Sequence, residues 1–348
     1  MGVPLSVVVP SVVPSVVQAI IIYVEWLNCN PERENPTFDE VEHRVSQPGR
    51  IAEMGEKGQD SKMQVDSGEA IPPPKTSSLT LGPTVWPTRE EFDDAKERFE
   101  YTPNKLRFAI TGIAGSGKSS LVNSFRGLRP GEDGAAKTGA NEATINVKRH
   151  PHPDTESPLA RIEWYDVPGA GTQTTPGGSS YFNSQGLFIF DFIILVPGDR
   201  FTEQDLDILA NCKMYNIPSC IVRSKADTHI GNTMRDENCS QEGARQRYIA
   251  ETNQKFKEEL EKASGKVSLD SNTEIFLVSS EPLRDFIKSF MDGKAPESAE
   301  AMIDEEYLVR KILLTAQMRR YPSKFGVGWA LKKARTLRYV SLNLEEKN

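Results

Sequence analysis

Cysteine and histidine are scarce in this sequence. Its four cysteines are scattered along 348 residues and lack the spacing of metal ligands: Cys29, Cys212, Cys220 and Cys239. We therefore expect reduced thiols rather than a disulfide framework or a zinc site. Two of the four histidines, His150 and His152, lie close together without an accompanying cysteine. We interpret them as loop residues and not as metal ligands.

An excess of positive charge is also lacking. The formal net charge is −7 at pH 7, which disfavours a dedicated nucleic-acid-binding protein, because such proteins use basic side chains to neutralise phosphates. Hydrophobic residues make up 37% of the chain. That content is enough for one substantial core, and the length leaves room for a second domain.

The first part of the chain lacks charged side chains. Met1 to Val24 has none and is long enough to span a bilayer, although three prolines would break or kink a helix. A basic leader and a clear cleavage site are missing, which disfavours a secretory signal. For this hydrophobic segment, residues 1–30, two alternatives stay open: a membrane anchor, or a segment folded onto the protein. Gly2 also lies in a pattern that fits N-myristoylation.

Residues 31–86 lack a sustained apolar period. They are rich in charged residues, glycine, serine and proline, which predicts a flexible linker. Order is expected to resume at Thr88, where Thr88-Arg89-Glu90-Glu91 is a capping-box pattern. Phe92, Ala95 and Phe99 then fall on one helical face, so this helix, within residues 87–103, should pack beside the domain that follows.

The most informative motif is a glycine-rich loop, Gly112-Ile113-Ala114-Gly115-Ser116-Gly117-Lys118-Ser119. It follows a strand-like run, Leu106 to Thr111, and precedes a helix-like one, Ser120 to Phe125. This order is typical of a phosphate-binding loop, in which backbone N–H groups and a helix N-terminus bind an anion. In that role Lys118 reaches the outer phosphates and Ser119 ligates magnesium. The nucleotide-binding residues predicted here are Gly112, Gly115, Ser116, Gly117, Lys118, Ser119 and Ser120.

An alternating run from Ile162 to Asp166 ends in an Asp-x-x-Gly element. This element can bring Asp166 close to magnesium and the N–H of Gly169 close to a γ-phosphate. Taken alone, an aspartate in a turn is ordinary. It gains weight because it follows the glycine-rich loop in the order that a nucleotide-hydrolysing chain requires.

Two further apolar runs end in residues suited to a purine base. The first ends in Ser224-Lys225-Ala226-Asp227, where Asp227 can accept two hydrogen bonds from guanine and the stem of Lys225 can cover the ring. Adenine offers no such pair of donors, so binding of ATP is disfavoured. The second run, Ile275 to Ser280, delivers Ser279 and Ser280 to the same edge, as expected where parallel strands end.

These motifs resemble the interferon-inducible immunity-related GTPases, a family that is dynamin-like in some of its behaviour. The resemblance covers roughly residues 106–290. The stretches that carry it are Gly117 to Gly127, Ala136-Lys137-Thr138-Gly139 through Glu142-Ala143-Thr144 to His150-Pro151-His152-Pro153, Trp164 to Gly171, Val222 to Asp227, and Phe276 to Ser280. It implies a P-loop G domain over residues 104–294, which is an α/β fold with a mostly parallel sheet and helices on both faces.

The resemblance also implies roles in the first switch. Ras-like enzymes orient the attacking water with a glutamine directly after the Asp-x-x-Gly glycine, where this chain has Ala170. By resemblance, Glu142 is the catalytic glutamate, and Thr138 and Thr144 are the switch threonines. The residues themselves leave open which threonine meets magnesium, and they also allow Glu142 to be a solvated loop carboxylate. The predicted magnesium ligands are Ser119, Thr138 and Asp166, with Thr144 as the alternative to Thr138.

A long stretch near the C-terminal end of the sequence lacks acidic residues. Tyr307 to Leu344 contains none, and apolar residues recur at helical spacing before Pro322: Leu308, Ile312, Leu313 and Ala316. Residues 295–348 are therefore predicted to be a short basic helical region. Its partner is either an anionic lipid surface or the G domain itself, with the charges facing water. By resemblance, this region is longer in the family.

Two more helices are predicted from capping and polarity. One starts at Thr202, after the apolar strand Phe192 to Val196, and the other runs from Gly243 to Lys262 between the last two strands. The whole pattern predicts a cytoplasmic GTPase that hydrolyses GTP to GDP with Mg²⁺, and that associates with a membrane if its N-terminal segment is an anchor. By resemblance, the G domains pair as a homodimer and complete catalysis in trans. The alternative is a GTP-gated oligomerising or scaffold module with negligible hydrolysis.

Overall fold

The structure is a computed structural model, and it describes residues 86–320 except 103–104, 140–145, 170–179, 265–272 and 293. The predictions for Gly2, Glu142 and Thr144 lie outside the described residues. So do those for the hydrophobic N-terminal segment and for the basic stretch beyond residue 320. None of the helices in the described ranges has the length and apolar character needed to cross a membrane.

Strands and helices alternate along the described chain. The strands are β1 (Leu106–Thr111), β2 (Lys148–Pro151), β3 (Ile162–Asp166), β4 (Phe192–Leu195), β5 (Ser219–Arg223) and β6 (Ile275–Leu277). The helices are α1 (Arg89–Arg98), α2 (Lys118–Phe125), α3 (Ser180–Ser184), α4 (Glu203–Met214), α5 (Ala226–Glu237), α6 (Gln241–Ser264), α7 (Ser280–Asp292) and α8 (Glu305–Arg320). Short 3₁₀ turns occur at Pro158–Arg161, Leu187–Ile189 and Ala299–Ala301.

The six described strands form one sheet in the order β2-β3-β1-β4-β5-β6. Strand β2 is antiparallel to β3, and the other neighbours are parallel. In the centre, Ile110 of β1 is in register with Asp166 of β3. Every side chain of β1, β3 and β4 is buried, as expected for parallel strands covered on both faces. The predicted α/β fold with a mostly parallel sheet is confirmed.

Adjacent residues of β1 divide between two hydrophobic clusters, because successive side chains of a strand point to opposite faces. Phe108 and Ile110 belong to a cluster that includes residues of α2, α7 and α8. Ala109 belongs to a second cluster with residues of α1 and α4. Helices therefore cover both faces, and both flanking helices, α1 and α8, contribute to the cores.

The capping-box prediction for α1 is confirmed. Thr88 accepts a hydrogen bond from the N–H of Glu91, whose side chain in turn accepts from the N–H of Thr88. The predicted apolar face is buried at Phe92, Ala95 and Phe99. Phe99 packs edge-on against Tyr165, with ring centroids 5.8 Å apart.

A buried ion pair lies near the start of the sheet, beneath the chain that leaves α1. Arg107 and Glu163 are both 0% exposed, with Nε of Arg107 3.7 Å from Oε2 of Glu163. Arg107 donates to the carbonyl oxygens of Thr102 and Lys105. Tyr165 donates its hydroxyl to Glu163 at 3.0 Å. These contacts fasten the connection between α1 and β1 to the sheet.

Some predicted elements differ from those observed. The strand predicted to end at Val196 ends at Leu195, and the helix predicted to start at Gly243 starts at Gln241. Strand β6 covers just Ile275–Leu277, because α7 already begins at Ser280. Helix α5 was not predicted, because its apolar residues Ala226, Ile230 and Met234 are few and just Ala226 is buried.

Candidate nucleotide-binding site

The glycine-rich loop connects the end of β1 to the start of α2, as the sequence predicts. Gly112, Gly115 and Gly117 all have positive φ angles, of 137°, 75° and 97°, which L side chains rarely adopt. Two of these positions also have no room for a side chain. A Cβ on Gly112 would lie 2.0 Å from the carbonyl oxygen of Val196, and one on Gly117 would lie 2.6 Å from Oγ of Ser224.

Helix α2 begins at Lys118 with Gly117 as its N-cap, and no side chain caps it. Its first turn also contains no acidic residue. The first N–H groups of a helix lack intrahelical partners and carry partial positive charge. The start of α2 is therefore suited to bind a phosphate group.

Lys118 is tethered inside the loop. Its Nζ donates to the carbonyl oxygen of Ile113 at 2.8 Å, and the residue is 7% exposed. Burial lowers the pKa of Lys118, whereas the charges of Asp166 and Asp205 act in the opposite direction. The loop therefore contains a largely desolvated ammonium group, which strengthens its attraction to an anion.

Ser119 and Asp166 meet at the junction of α2 and β3. The hydroxyl of Ser119 donates to Oδ2 of Asp166 at 2.6 Å, and Asp166 is 2% exposed. Hydroxyl and carboxylate oxygens are the hard ligands that Mg²⁺ prefers, with waters and substrate phosphates completing its shell. This donor set fits magnesium. Across the described ranges, no cluster of three or more His, Cys, Asp or Glu side chains could hold a metal by itself.

The Asp-x-x-Gly segment lies directly against the glycine-rich loop. A Cβ on Gly169 would be 2.9 Å from the backbone nitrogen of Ala114. Tyr181 anchors this segment, because its hydroxyl donates to the carbonyl oxygen of Pro168 at 2.6 Å and lies 3.1 Å from Oγ1 of Thr111. Burial raises the pKa of Tyr181 to about 12. The role of Tyr181 was not predicted from the sequence, because residue spacing does not indicate that its hydroxyl contacts Pro168 and Thr111.

The predicted base-recognition segment is hydrogen-bonded to the same loop. Ser224 donates to the carbonyl oxygen of Ser116 at 2.5 Å, and Nζ of Lys225 donates to that of Gly115 at 2.8 Å. Lys225 has a φ of 62°, a left-handed conformation at the N-cap of α5.

Asp227 is exposed in the first turn of α5. Its N–H donates to Oγ of Ser279 at 2.9 Å. The N–H of Ala226 donates to the carbonyl oxygen of Val278 at 3.1 Å. Ser280 follows as the first residue of α7. The ends of β5 and β6 are thus joined at this edge of the sheet, and the carboxylate of Asp227 faces outward.

Arg223 is a second residue that the motifs did not single out. Its guanidinium donates to the carbonyl oxygen of Gly198 at 2.8 Å, pairs with Asp199, and lies 3.0 Å from Nε2 of His229. A Cβ on Gly198 would come within 2.4 Å of Cδ1 of Ile113. Arg223 therefore supports the loop after β4 where it packs on the phosphate loop. One signal in the sequence could have identified Arg223, because it is a charged residue at the end of an apolar strand.

Of the predicted switch residues Thr138, Glu142 and Thr144, the described part of the chain contains Thr138 alone. Thr138 is exposed and borders the stretch 140–145, and no hydrogen bond among the described residues links it to Ser119 or Asp166. The interpretation of both histidines as loop residues is wrong for His150, which lies in β2, whereas His152 follows the strand. Burial lowers the pKa of both, that of His150 to about 4.

Residues 96–288 match the family model described as Interferon-inducible GTPase (IIGP). The chain belongs to the interferon-inducible GTPase family. The match covers the glycine-rich loop, the Asp-x-x-Gly segment, the base-recognition segment and the serines after β6. The predicted family resemblance is confirmed.

Two mouse proteins are similar to this chain. Interferon-inducible GTPase 1 of Mus musculus is 36% identical over 133 residues, which is 38% of this chain and 31% of the relative. T-cell-specific guanine nucleotide triphosphate-binding protein 2 of Mus musculus is 34% identical over 131 residues, 37% of this chain and 30% of the relative. The matched region spans less than a third of each relative.

Among solved structures, Toc33 from Arabidopsis thaliana in complex with Mg²⁺ and GMPPNP is similar at 15% identity. The likeness covers 67% of this chain and 93% of Toc33, with a TM-score of 0.39.

Proposed function

We propose that this chain binds GTP and GDP and hydrolyses GTP to GDP and phosphate. The observation that carries the proposal is the direct bonding of the base-recognition segment to the phosphate loop, from Ser224 to Ser116 and from Lys225 to Gly115. Two motifs separated by more than a hundred residues thus form one surface, on which a nucleotide would meet both. The names of the relatives, an interferon-inducible GTPase and a guanine nucleotide triphosphate-binding protein, support the same activity.

Each segment has a distinct task in this proposal. The loop N–H groups and Lys118 bind the phosphates, and the outward carboxylate of Asp227 accepts hydrogen bonds from guanine. Gly169, held against the loop by the anchor at Pro168, reports the presence of a γ-phosphate. Ser119 and Asp166 would hold magnesium. The chemistry that a bound magnesium supplies is neutralisation of phosphate charge.

Orientation of the attacking water is assigned to Glu142. The chain has Ala170 in the position of the Ras-like glutamine, so another group must perform this task. Replacing Glu142 with alanine should slow phosphate release while leaving the affinity for GDP unchanged. If phosphate release is unaffected, the assignment is wrong.

The test of nucleotide binding is calorimetry with Mg²⁺ and GDP, a slowly hydrolysed GTP analogue, or ATP. The wild-type protein should bind both guanine nucleotides and discriminate against ATP. Lys118→Ala should abolish tight binding of the GTP analogue, because the loop loses its buried ammonium. Lys262→Ala is the control, since Lys262 is 77% exposed on α6. No heat with either guanine nucleotide would reject the proposal.

We further propose that G domains pair as a homodimer, so that the specific activity rises with protein concentration. Phosphate release per mole of protein should therefore increase across a concentration series. A flat response at the background rate would instead support the alternative, a GTP-gated scaffold with negligible hydrolysis. The proposed place of action is the cytoplasm, at a membrane that the N-terminal segment contacts.

A further inference from the structure

The start of α8 covers the open side of β6. Strand β6 is the last of the six described strands, so on one side it has no neighbour among them. There, the N–H of Leu277 donates to Oδ2 of Asp304 at 2.8 Å, and the N–H of Asp304 donates to the carbonyl oxygen of Leu277 at 3.3 Å. The segment before α8 therefore pairs with β6 at this one position.

Glu305, the first residue of α8, makes a further contact with Ser279. Ser279 and Ser280, which are predicted to lie at the base pocket, are called the base-recognition serines. The side chain of Glu305 is 0% exposed, and Oε1 accepts the N–H of Ser279 at 2.7 Å while Oε2 accepts the N–H of Ile303. No ion pair among the described residues involves Glu305. Burial raises the pKa of Glu305 to about 7, whereas the hydrogen bonds from the N–H groups of Ser279 and Ile303 act in the opposite direction.

A buried carboxylate without a cation is costly. The two N–H groups that Glu305 satisfies belong to Ser279 and Ile303, which both lie outside α8. The position of Glu305 is therefore better explained by the loop that it holds than by the stability of α8. Such local conflicts concentrate at functional sites.

Ser279 links Glu305 to the base-recognition segment. While its N–H donates to Glu305, its Oγ accepts the N–H of Asp227 at 2.9 Å. A chain of hydrogen bonds thus runs from the start of α8, through a single serine, to the residue whose carboxylate is proposed to bind guanine.

The other end of β6 is also attached to α8. Glu274, which directly precedes β6, accepts a hydrogen bond from the hydroxyl of Tyr307 at 3.2 Å and pairs with Nζ of Lys311 at 3.2 Å. Leu308 and Ile312, on the buried side of α8, are each 0% exposed. Because α8 holds β6 at both ends, a shift of α8 must carry the base-recognition serines with it.

We propose that Glu305 is a positioning residue for guanine recognition, and that through it α8 and the bound base are energetically coupled. The proposal rests on the proposed function of the site. Coupling of this kind is reciprocal. Binding of GDP should stabilise the start of α8, and a partner that displaces α8 should weaken binding of GDP.

The first test is Glu305→Gln, which leaves one acceptor for two N–H donors. We expect the affinity for GDP to fall about tenfold, which is the loss of one hydrogen bond to a charged acceptor. The ratio of affinities for the GTP analogue and GDP should stay unchanged, because the phosphate loop keeps its contacts. Glu306→Gln is the matched control. This substitution removes the same charge one residue away, from a side chain that pairs with Arg310.

The second test is amide hydrogen exchange of the wild-type protein with and without GDP. Exchange should slow at residues 277–281 and also at 304–309. In Glu305→Gln the effect at 304–309 should disappear. The wild-type measurement decides the matter even if the variant fails to fold.

Three outcomes would overturn the proposal. These are equal affinity for GDP in Glu305→Gln and the wild type, an equal loss in Glu306→Gln, or no effect of GDP at residues 304–309 of the wild type. Failure of the wild type to bind GDP at all is a different result, because it rejects the proposed function itself.

Discussion

Individual lysines of the site are held by carbonyl oxygens of a single loop. Lys118 donates to Ile113 and Lys225 donates to Gly115. A carbonyl does not neutralise an ammonium, so both charges stay available to an anion, whereas a carboxylate partner would compete with it. The charged group of Asp227 likewise stays available to a ligand, because its backbone N–H binds Ser279 while its carboxylate is exposed.

Asp227→Ala should remove most of the preference for guanine. The carboxylate is the group expected to accept two hydrogen bonds from the base, and charge-assisted hydrogen bonds contribute about 1.5–3 kcal/mol each. Competition between GTP and ATP for the wild type and the variant measures the change. Asp236→Ala, farther along α5, should leave the preference intact. A variant that still prefers GTP to the wild-type degree would contradict the assignment.

His150 should make the folded state less stable in mild acid. Burial and the charge of Arg126 lower the pKa of His150 from its ordinary value to about 4. Between roughly pH 6.5 and about pH 4, His150 is protonated in the unfolded chain but stays neutral in the folded chain. The free energy of unfolding therefore falls as the pH falls. Denaturant unfolding at several pH values should show this decline. It should be shallower in His150→Gln, and an unchanged slope would exclude His150 as its source.

At the scale of secondary structure, local signals predict much of the fold. The apolar and alternating runs give β1 and β3 the bounds that the structure has, and the capping box marks the start of α1. The roles of Tyr181 and Glu305 could not be predicted, because the bonds of Glu305 to Ser279 and of Tyr181 to Thr111 join residues far apart in sequence. The spacing of residues predicts helices and strands, whereas contacts between distant residues form when those helices and strands pack together.

The packing of α1 should contribute to stability without contributing to binding. Phe99 is 3% exposed and contacts the rings of Tyr165 and Phe190. Phe99→Ala should therefore lower the free energy of unfolding by about 3–5 kcal/mol. Thr88→Ala, which removes the N-cap, should lower it by about 1 kcal/mol. Denaturant titration measures both effects, and GDP affinity at low temperature should stay at the wild-type value. A large drop in affinity would mean that α1 takes part in the site.

For the whole molecule, the helices at both ends of the described chain are part of the cores on the two faces of the sheet. Ala95 of α1 and Ile312 of α8 are 1% and 0% exposed. The attachment of α1 is reinforced by the buried pair of Arg107 and Glu163. Removing residues that precede α1 should therefore leave the domain from α1 to α8 folded. The role of the N-terminal segment can then be tested by deleting it.

Deletion of Met1 to Leu27 should move the protein from the membrane fraction to the soluble fraction. The removed residues contain the uncharged stretch that ends at Val24, which is the basis for the proposed membrane contact. Fractionation of cells that express each form measures the change, and unaltered binding of GDP by the shortened form controls for folding. If the full-length and shortened proteins are equally soluble, the membrane proposal fails.

Both rims of the sheet are poor templates for another strand. At one rim, Leu277 of the three-residue β6 already has its N–H and carbonyl engaged by Asp304. At the other, β2 carries two basic side chains and ends in Pro151, which has no N–H and whose carbonyl accepts from Arg126. Short, charged and proline-bearing rims resist edge-to-edge aggregation. Two copies should consequently not associate by pairing these two strands, and any association of the described domain should engage side chains and loops.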